Sequence, residues 1–238
     1  MPELYSPKQQ HSTMDIPLSQ KPGSLVFPVI IMIGVALMMA FLIFITVVGL
    51  SVVRQNSMAP TLQDGNHITM WNIPRRIRRN HIVVVNAPLS HQIEGQPRPL
   101  FVKRVVATGG DIVRFTLNRD NIITQSGFTG HEVFLYLSLA GNYDANGNRI
   151  FIRQQEDFIL EPMVDSSNHF NRIRPYLLLY GYWDYYVPAG NLFLLGDNRN
   201  NSVDSRAYDS WHVSDVVGRK IRRLTPDSFL ERLFLFIY

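Results

Sequence analysis

The sequence predicts a mainly-β domain carried on one membrane-spanning helix, and three observations lead there. The stretch from Leu25 to Val53 is apolar and carries no charge. After residue 54 the chain breaks into short runs of apolar, β-branched residues set between turn-formers. No long stretch has helical periodicity outside the last fifteen residues.

Composition bounds the function. In 238 residues, 46% are hydrophobic and 18% are charged, below the roughly 25% charge of an ordinary soluble domain. A disordered chain is excluded, and part of the molecule is expected out of water. The net charge of +4 is too small to require a nucleic-acid partner, since modest basic charge is equally at home near anionic lipid. Cys is absent, which excludes a thiolate nucleophile, a thiolate metal site and disulfides.

Element by element, a tail over 1–24 comes first. The apolar run after it is read as a transmembrane helix over 25–53, because about 20 apolar residues cross a bilayer. A cleaved signal sequence has an apolar core of only about 7–15 residues. Pro28 suits the first turn of such a helix. A count of Arg54, Arg75, Arg76, Arg78 and Arg79 beyond the span would place that side in the cytoplasm. That cluster, however, lies mostly outside the zone where charge sets orientation. Residues 54–238 form the β-rich domain, with runs at Asn66–Trp71, His81–Asn86, Leu100–Ala107, Asp111–Leu117 and Asn191–Leu195. Asn146-Gly147 is a hairpin turn signal between Tyr143 and Ile150. Asp144–Asn148 has neither the glycine position nor the closing Glu of a calcium loop, and is read as a turn. The histidines have no metal-ligand spacing and no phosphate loop is present, so neither metal nor cofactor is expected. Trp71, Trp183, Tyr185, Tyr186 and Trp211 could serve either an interfacial belt or the β core.

Three segments could carry chemistry: Asn56–Leu62, Phe101–Asp111 and Gly196–Arg206. Singly, each has an ordinary reading as a turn serine, an edge lysine and a polar loop. Together they suggest a serine activated by a lysine. Desolvation disfavours an ammonium, and moving Lys from about 10.4 to near 8 needs roughly 2.7 kcal/mol. In a strand Phe101, Lys103 and Val105 share one face while Arg104 points to the other.

These segments resemble the signature boxes of type I signal peptidases, membrane-bound Ser/Lys proteases of the S26 type. Ser57-Met58-Ala59-Pro60-Thr61-Leu62 resembles the nucleophile box, Lys103-Arg104-Val105-Val106 with Gly110-Asp111 the general-base box, and Gly196-Asp197-Asn198-Arg199 with Asn201-Ser202-Val203-Asp204-Ser205-Arg206 the third. Val217-Gly218-Arg219 closes the pattern. The resemblance implies an antiparallel β-sheet catalytic domain of signal-peptidase type, with Ser57 as nucleophile and Lys103 as general base. Ser202 would orient the lysine, and Gln55, where a small hydroxyl residue is common, would assist an oxyanion hole with the Ser57 N–H. Asp204 and Arg206 would form an ion pair beneath the site, with Asp197, Asn198 and Arg199 around it. Met58, Pro60 and Thr61 would shape the turn at the substrate. Asn200 replaces a common Asp, Asp209 a common Gly, and Asn80-His81 a more usual Gly-Asp. Residues 115–188 match no box and resemble the family's variable insertion.

The implied partners are signal peptides of exported preproteins, membrane lipid and, as a further candidate, the translocation machinery, with no nucleic acid. The implied location is the cytoplasmic membrane, single-pass, with the tail cytoplasmic and the catalytic domain outside. Two other readings stand beside this one: a specialised peptidase maturing a dedicated secretion or conjugation substrate, and an inactive membrane-anchored protein that binds signal peptides. A self-cleaving DNA-binding repressor is excluded, since a membrane span stands where its helix-turn-helix would be.

Overall fold

The charge-free run folds as helix over most, but not all, of its length. In the computed structural model, which describes residues 26–72, 76–125, 128–160 and 172–221, α1 spans Val26–Val47 and buries none of its side chains. Its 22 residues extend about 33 Å at 1.5 Å per residue, enough to cross a hydrocarbon core of about 30 Å. The predicted helix over 25–53 is therefore too long. Val48–Val52 is strand β1, paired antiparallel with β2 (His67–Trp71), Val48 opposite Trp71 and Val52 opposite His67. Val48, Val52 and Val53 tolerate a strand as β-branched residues do, and the pairing with β2 decides it, because an apolar run reads alike whether it is helix or strand. Gly49 permits the close approach of the loop after β2, since a Cβ there would stand 2.2 Å from Asn72 Oδ1. The predicted tail 1–24, Arg75 and the run Phe229–Tyr238 lie outside the described residues.

The next strands are β3 (Ile82–Asn86), β4 (Leu100–Thr108), β5 (Ile112–Gln125), β6 (Phe128–Ser138) and β7 (Ile152–Leu160). After helix α2 (Arg174–Tyr180) come β8 (Tyr182–Tyr186) and β9 (Asn191–Leu195), then the short helix α3 (Ser205–Tyr208), β10 (Trp211–His212) and β11 (Val216–Lys220). Among the described residues they form two antiparallel sheets, ordered β1-β2-β11-β3-β4-β9-β10 and β7-β6-β5-β8. All the predicted runs are strands, with β5 extending well past its predicted end. Much of the segment 115–188 builds the second sheet. Asn146-Gly147 does turn the chain, but it joins a single bridge, Tyr143 to Arg149, rather than two full strands. Asp144 Oδ1 accepts the N–H groups of Asn146 and Asn148 across that turn.

Strand alternation distributes the apolar residues into three clusters. Phe115, Leu135, Leu137 and Leu177 pack with Val106, Phe193 and Leu195, joining the second sheet to β4 and β9. Val83, Val85, Val105, Leu194 and Trp211 form another. Val53, Met58, Leu62, Ile68, Met70 and Val84 form the third, beneath the turn that carries Ser57. Of the aromatics with two readings, Trp211 is core, Trp183 and Tyr185 are half-buried against the first cluster, and Trp71 and Tyr186 are exposed.

Candidate active site

Ser57 sits in the turn between β1 and β2. Two hydrogen bonds tighten that turn, Ala59 N–H to Asn56 O at 3.0 Å and Leu62 N–H to Met58 O at 2.9 Å. Met58 is fully buried among Val53, Leu62, Ile68, Met70 and Val84. The side chain thus anchors from below the turn that presents Ser57. Pro60 and Thr61 remain exposed.

Lys103 lies in the middle of β4, paired with Val83 of β3. Its neighbours on the same face, Phe101 and Val105, pack into the cluster around Trp211, and its Nζ stands 5.6 Å from the Phe101 ring centroid. Only 4% of Lys103 is exposed. Its Nζ donates to Ser57 Oγ at 2.8 Å. Burial is the main cause that lowers the Lys103 pKa to about 8, with Asp204 and Asp197 opposing the fall and Arg206 adding to it. The contact joins residues 46 apart in sequence.

The third segment leaves β9 at Leu195 and wraps the Ser57–Lys103 pair. Asn198 donates its backbone N–H to Ser57 O at 3.0 Å and its side-chain amide to Asn56 O at 3.1 Å. Asp204 and Arg206 are fully buried. Arg206 Nε donates to Asp204 Oδ1 and its Nη2 to Asp204 Oδ2, both at 2.8 Å. Asp204 also accepts the Gly196 N–H at 3.0 Å and caps α3 through the Arg206 N–H. Burial pushes the Asp204 pKa up, but the Arg206 charge and the hydrogen bonds outweigh it, so the carboxyl stays below its ordinary value. Asp197 makes a two-pronged pair with Arg104 at 2.7 and 2.6 Å and lies 3.6 Å from Arg199, which also donates to Gly196 O.

One expected contact, at Ser202, is not made. Ser202 is 1% exposed, yet its Oγ makes no hydrogen bond, so the expected bond to Lys103 is not formed in this structure. A buried hydroxyl left without a partner costs about 1–3 kcal/mol, and such groups call for an explanation at functional positions. Gln55 is exposed, has φ 69°, and gives its backbone N–H to Asp64 Oδ1 at 2.7 Å. Local pattern gives Gly196 no role beyond opening the third box, yet it packs between Ser57 and Ser202. Its signal is a glycine directly after the apolar strand Asn191–Leu195.

The sequence matches the family described as "Signal peptidase, peptidase S26" over residues 26–224. It is 27% identical over 186 residues to "Thylakoidal processing peptidase 1, chloroplastic" of Arabidopsis thaliana, covering 74% of this chain and 42% of that protein. To "Probable signal peptidase I-1" of Synechocystis it is 25% identical over 208 residues, 86% of this chain and 85% of that one. To "Signal peptidase IB" of Staphylococcus aureus it is 24% identical over 212 residues, 86% of this chain and 92% of that one. The chain thus spans less than half the length of the Arabidopsis relative and most of the two bacterial ones.

Proposed function

The chain belongs to the signal peptidase family of peptidase S26, and from that membership we propose that it is a membrane-anchored serine endopeptidase that removes N-terminal signal peptides from exported preproteins. The observation that carries this reading is the 2.8 Å contact between a buried lysine and a turn serine. With the amine neutral, the contact reverses: Ser57 Oγ–H donates to the Nζ lone pair. Lys103 then takes the proton as Oγ attacks the scissile carbonyl carbon, and returns it to the departing amine. A deacylating water is activated in the same way. The Ser57 N–H and the Gln55 side-chain amide are the proposed donors to the oxyanion. Rotation of the Ser202 hydroxyl toward Nζ would fix the lysine during these transfers. Asp197, Asn198, Arg199, Asp204 and Arg206 are proposed as the frame that holds this geometry.

The proposed location is the cytoplasmic membrane, with α1 as its single span, the tail 1–24 inside and residues 54–238 outside. Signal peptides, lipid and the translocation machinery are the proposed partners.

The experiment is cleavage by the full-length protein in lipid of a precursor with Ala at the third and first positions before the cut. Ser57→Ala and Lys103→Met should each abolish cleavage. Activity that survives Lys103→Met overturns the mechanism. A folded wild type that binds the precursor without cutting it, or cuts only a dedicated substrate, favours the other readings.

A further inference from the structure

On the reverse face of β4 from Lys103, a cleft of about 910 Å³ opens between the two sheets, and five arginines line it: Arg78, Arg79, Arg104, Arg153 and Arg199. No carboxylate lines it among the described residues. Asp197 is the acidic group nearest to hand in the ion pairs, and it is engaged by Arg104 and Arg199. The arginines come from four places in the chain, the loop before β3, strand β4, strand β7 and the segment after β9. Only the fold gathers them.

Their environments differ in a useful way. Arg104 is fixed by Asp197 and by Asn80 O at 3.0 Å, and Arg153 lies 3.8 Å over the Phe134 ring. Arg78 and Arg79 are exposed, and neither side chain enters an ion pair among the described residues. Arg199 is buried; burial above all, then repulsion from Arg206 and Arg104, pulls its pKa down to about 10 against the support of Asp204. Arg78 and Arg79 therefore bring positive charge to this wall that no ion pair among the described residues offsets. The floor is apolar, with Val106, Leu135 and Leu137 all buried.

We propose that this cleft binds a phosphate group carried on an organic body, with the guanidinium forks on the phosphate oxygens and the body over the apolar floor. Arginine suits this task because its planar fork meets phosphate oxygens two at a time. The volume lies in the range of roughly 300–1,000 Å³ typical of sites for small organic ligands, larger than a bare anion needs. The phosphate could arrive as a lipid headgroup or on a soluble compound, and the experiment separates them. The inference does not depend on the peptidase reading, and no readout below uses cleavage.

The full-length protein in nonionic micelles is treated with phenylglyoxal, and modification of Arg78 and Arg79 is followed by mass spectrometry. Three conditions are compared at matched ionic strength: glycerol 3-phosphate, phosphatidylglycerol doped into the micelle, and sodium chloride alone. Protection of at least fivefold by glycerol 3-phosphate supports the site and a soluble source. Protection by phosphatidylglycerol alone supports the site and a lipid source. Calorimetry then compares wild type with the double variant Arg78→Gln, Arg79→Gln, whose exposed side chains leave the fold intact, and with Arg172→Gln outside the cleft. Affinity should fall at least tenfold in the double variant and stay unchanged in Arg172→Gln. The proposal is overturned if chloride protects equally, if neither phosphate protects, or if the double variant binds as tightly as wild type.

Discussion

Gly196 and Ser202 are in such close contact that a Cβ added to Gly196 would lie 2.1 Å from Ser202 Oγ and 2.4 Å from its Cβ. The same atom would lie 2.4 Å from the carbonyl oxygen of Ser57, which is backbone and cannot rotate aside. The position is therefore reserved for glycine by space, not by dihedral angle. It lets the segment after β9 lie directly on the turn that carries Ser57.

Gly196→Ala should consequently separate the third segment from Ser57. Displacement of about 1 Å in a reacting pair can cost about a hundredfold in rate, and overpacking costs about 1–3 kcal/mol of stability. The expected result is a loss of precursor cleavage of at least that size with a modest fall in Tm. Wild-type cleavage by Gly196→Ala would show that the segment is free to shift.

Lys103, the proposed base, has its pKa lowered to about 8 chiefly by burial. The base must be neutral, so kcat/KM should rise with pH and level off above that value. At pH 6 it should stand about a hundredfold below the plateau. A rate that is flat between pH 6 and pH 9, measured on the free enzyme with limiting substrate, would exclude Lys103 as the base.

Stability should carry the same signature. The folded pKa is about 8 against an ordinary value of 10.5, so between those values the unfolded chain binds more protons. Stability relative to Lys103→Met should therefore be flat below pH 8 and rise with pH from 8 to 10.5, by about 3 kcal/mol at most. Urea denaturation of both proteins across pH 7–11 measures it. A difference that falls with pH would contradict the burial of the ammonium.

Much of this site is legible in the sequence, for physical reasons. Strand alternation alone places Lys103 between Phe101 and Val105, and the apolar neighbours imply the desolvation. The order of the three boxes gives the partners. Local pattern could not convey where α1 yields to β1, because Val48–Val53 is equally apolar in either form. Nor could it reveal that Met58 points into the core, that Ser202 Oγ lacks a bond in this state, or that Arg153 joins Arg104 across two sheets. These depend on contacts between distant segments.

Asp204 and Arg206 give a further test. Both are fully buried, and removing one partner leaves the other charge uncompensated, at a cost of about 3–5 kcal/mol. Asp204→Asn should be destabilised by that amount, and the double variant Asp204→Asn, Arg206→Met by less. Asp204 also raises the Lys103 pKa. Whatever folded Asp204→Asn remains should thus reach its plateau of cleavage at lower pH than wild type. Loss of stability without that acid shift would mean the ion pair supports the fold but not the base.

Asp209 offers the last prediction, because its backbone takes a conformation that suits glycine. Its φ is 68° and ψ −169°, a region open almost only to glycine and costing other residues about 1–3 kcal/mol. The carboxylate recovers little of this: its pair with Arg172 is exposed, with 43% and 45% of the two side chains accessible, and exposed pairs contribute about 0–1 kcal/mol. The strain is held by the next residue, Ser210, whose Oγ meets Tyr185 Oη at 2.9 Å and accepts from Asn191 Nδ2 at 2.8 Å. Asp209→Gly relieves the strain but adds freedom to the unfolded chain, worth about 0.4–1 kcal/mol against it. The net expectation is a gain near 1 kcal/mol by urea denaturation, with the Ser210 contacts intact. Asp209→Ala, which keeps the Cβ and loses only the ion pair, should show no gain, and equal stabilisation by both variants would place the effect in the charge rather than in the backbone.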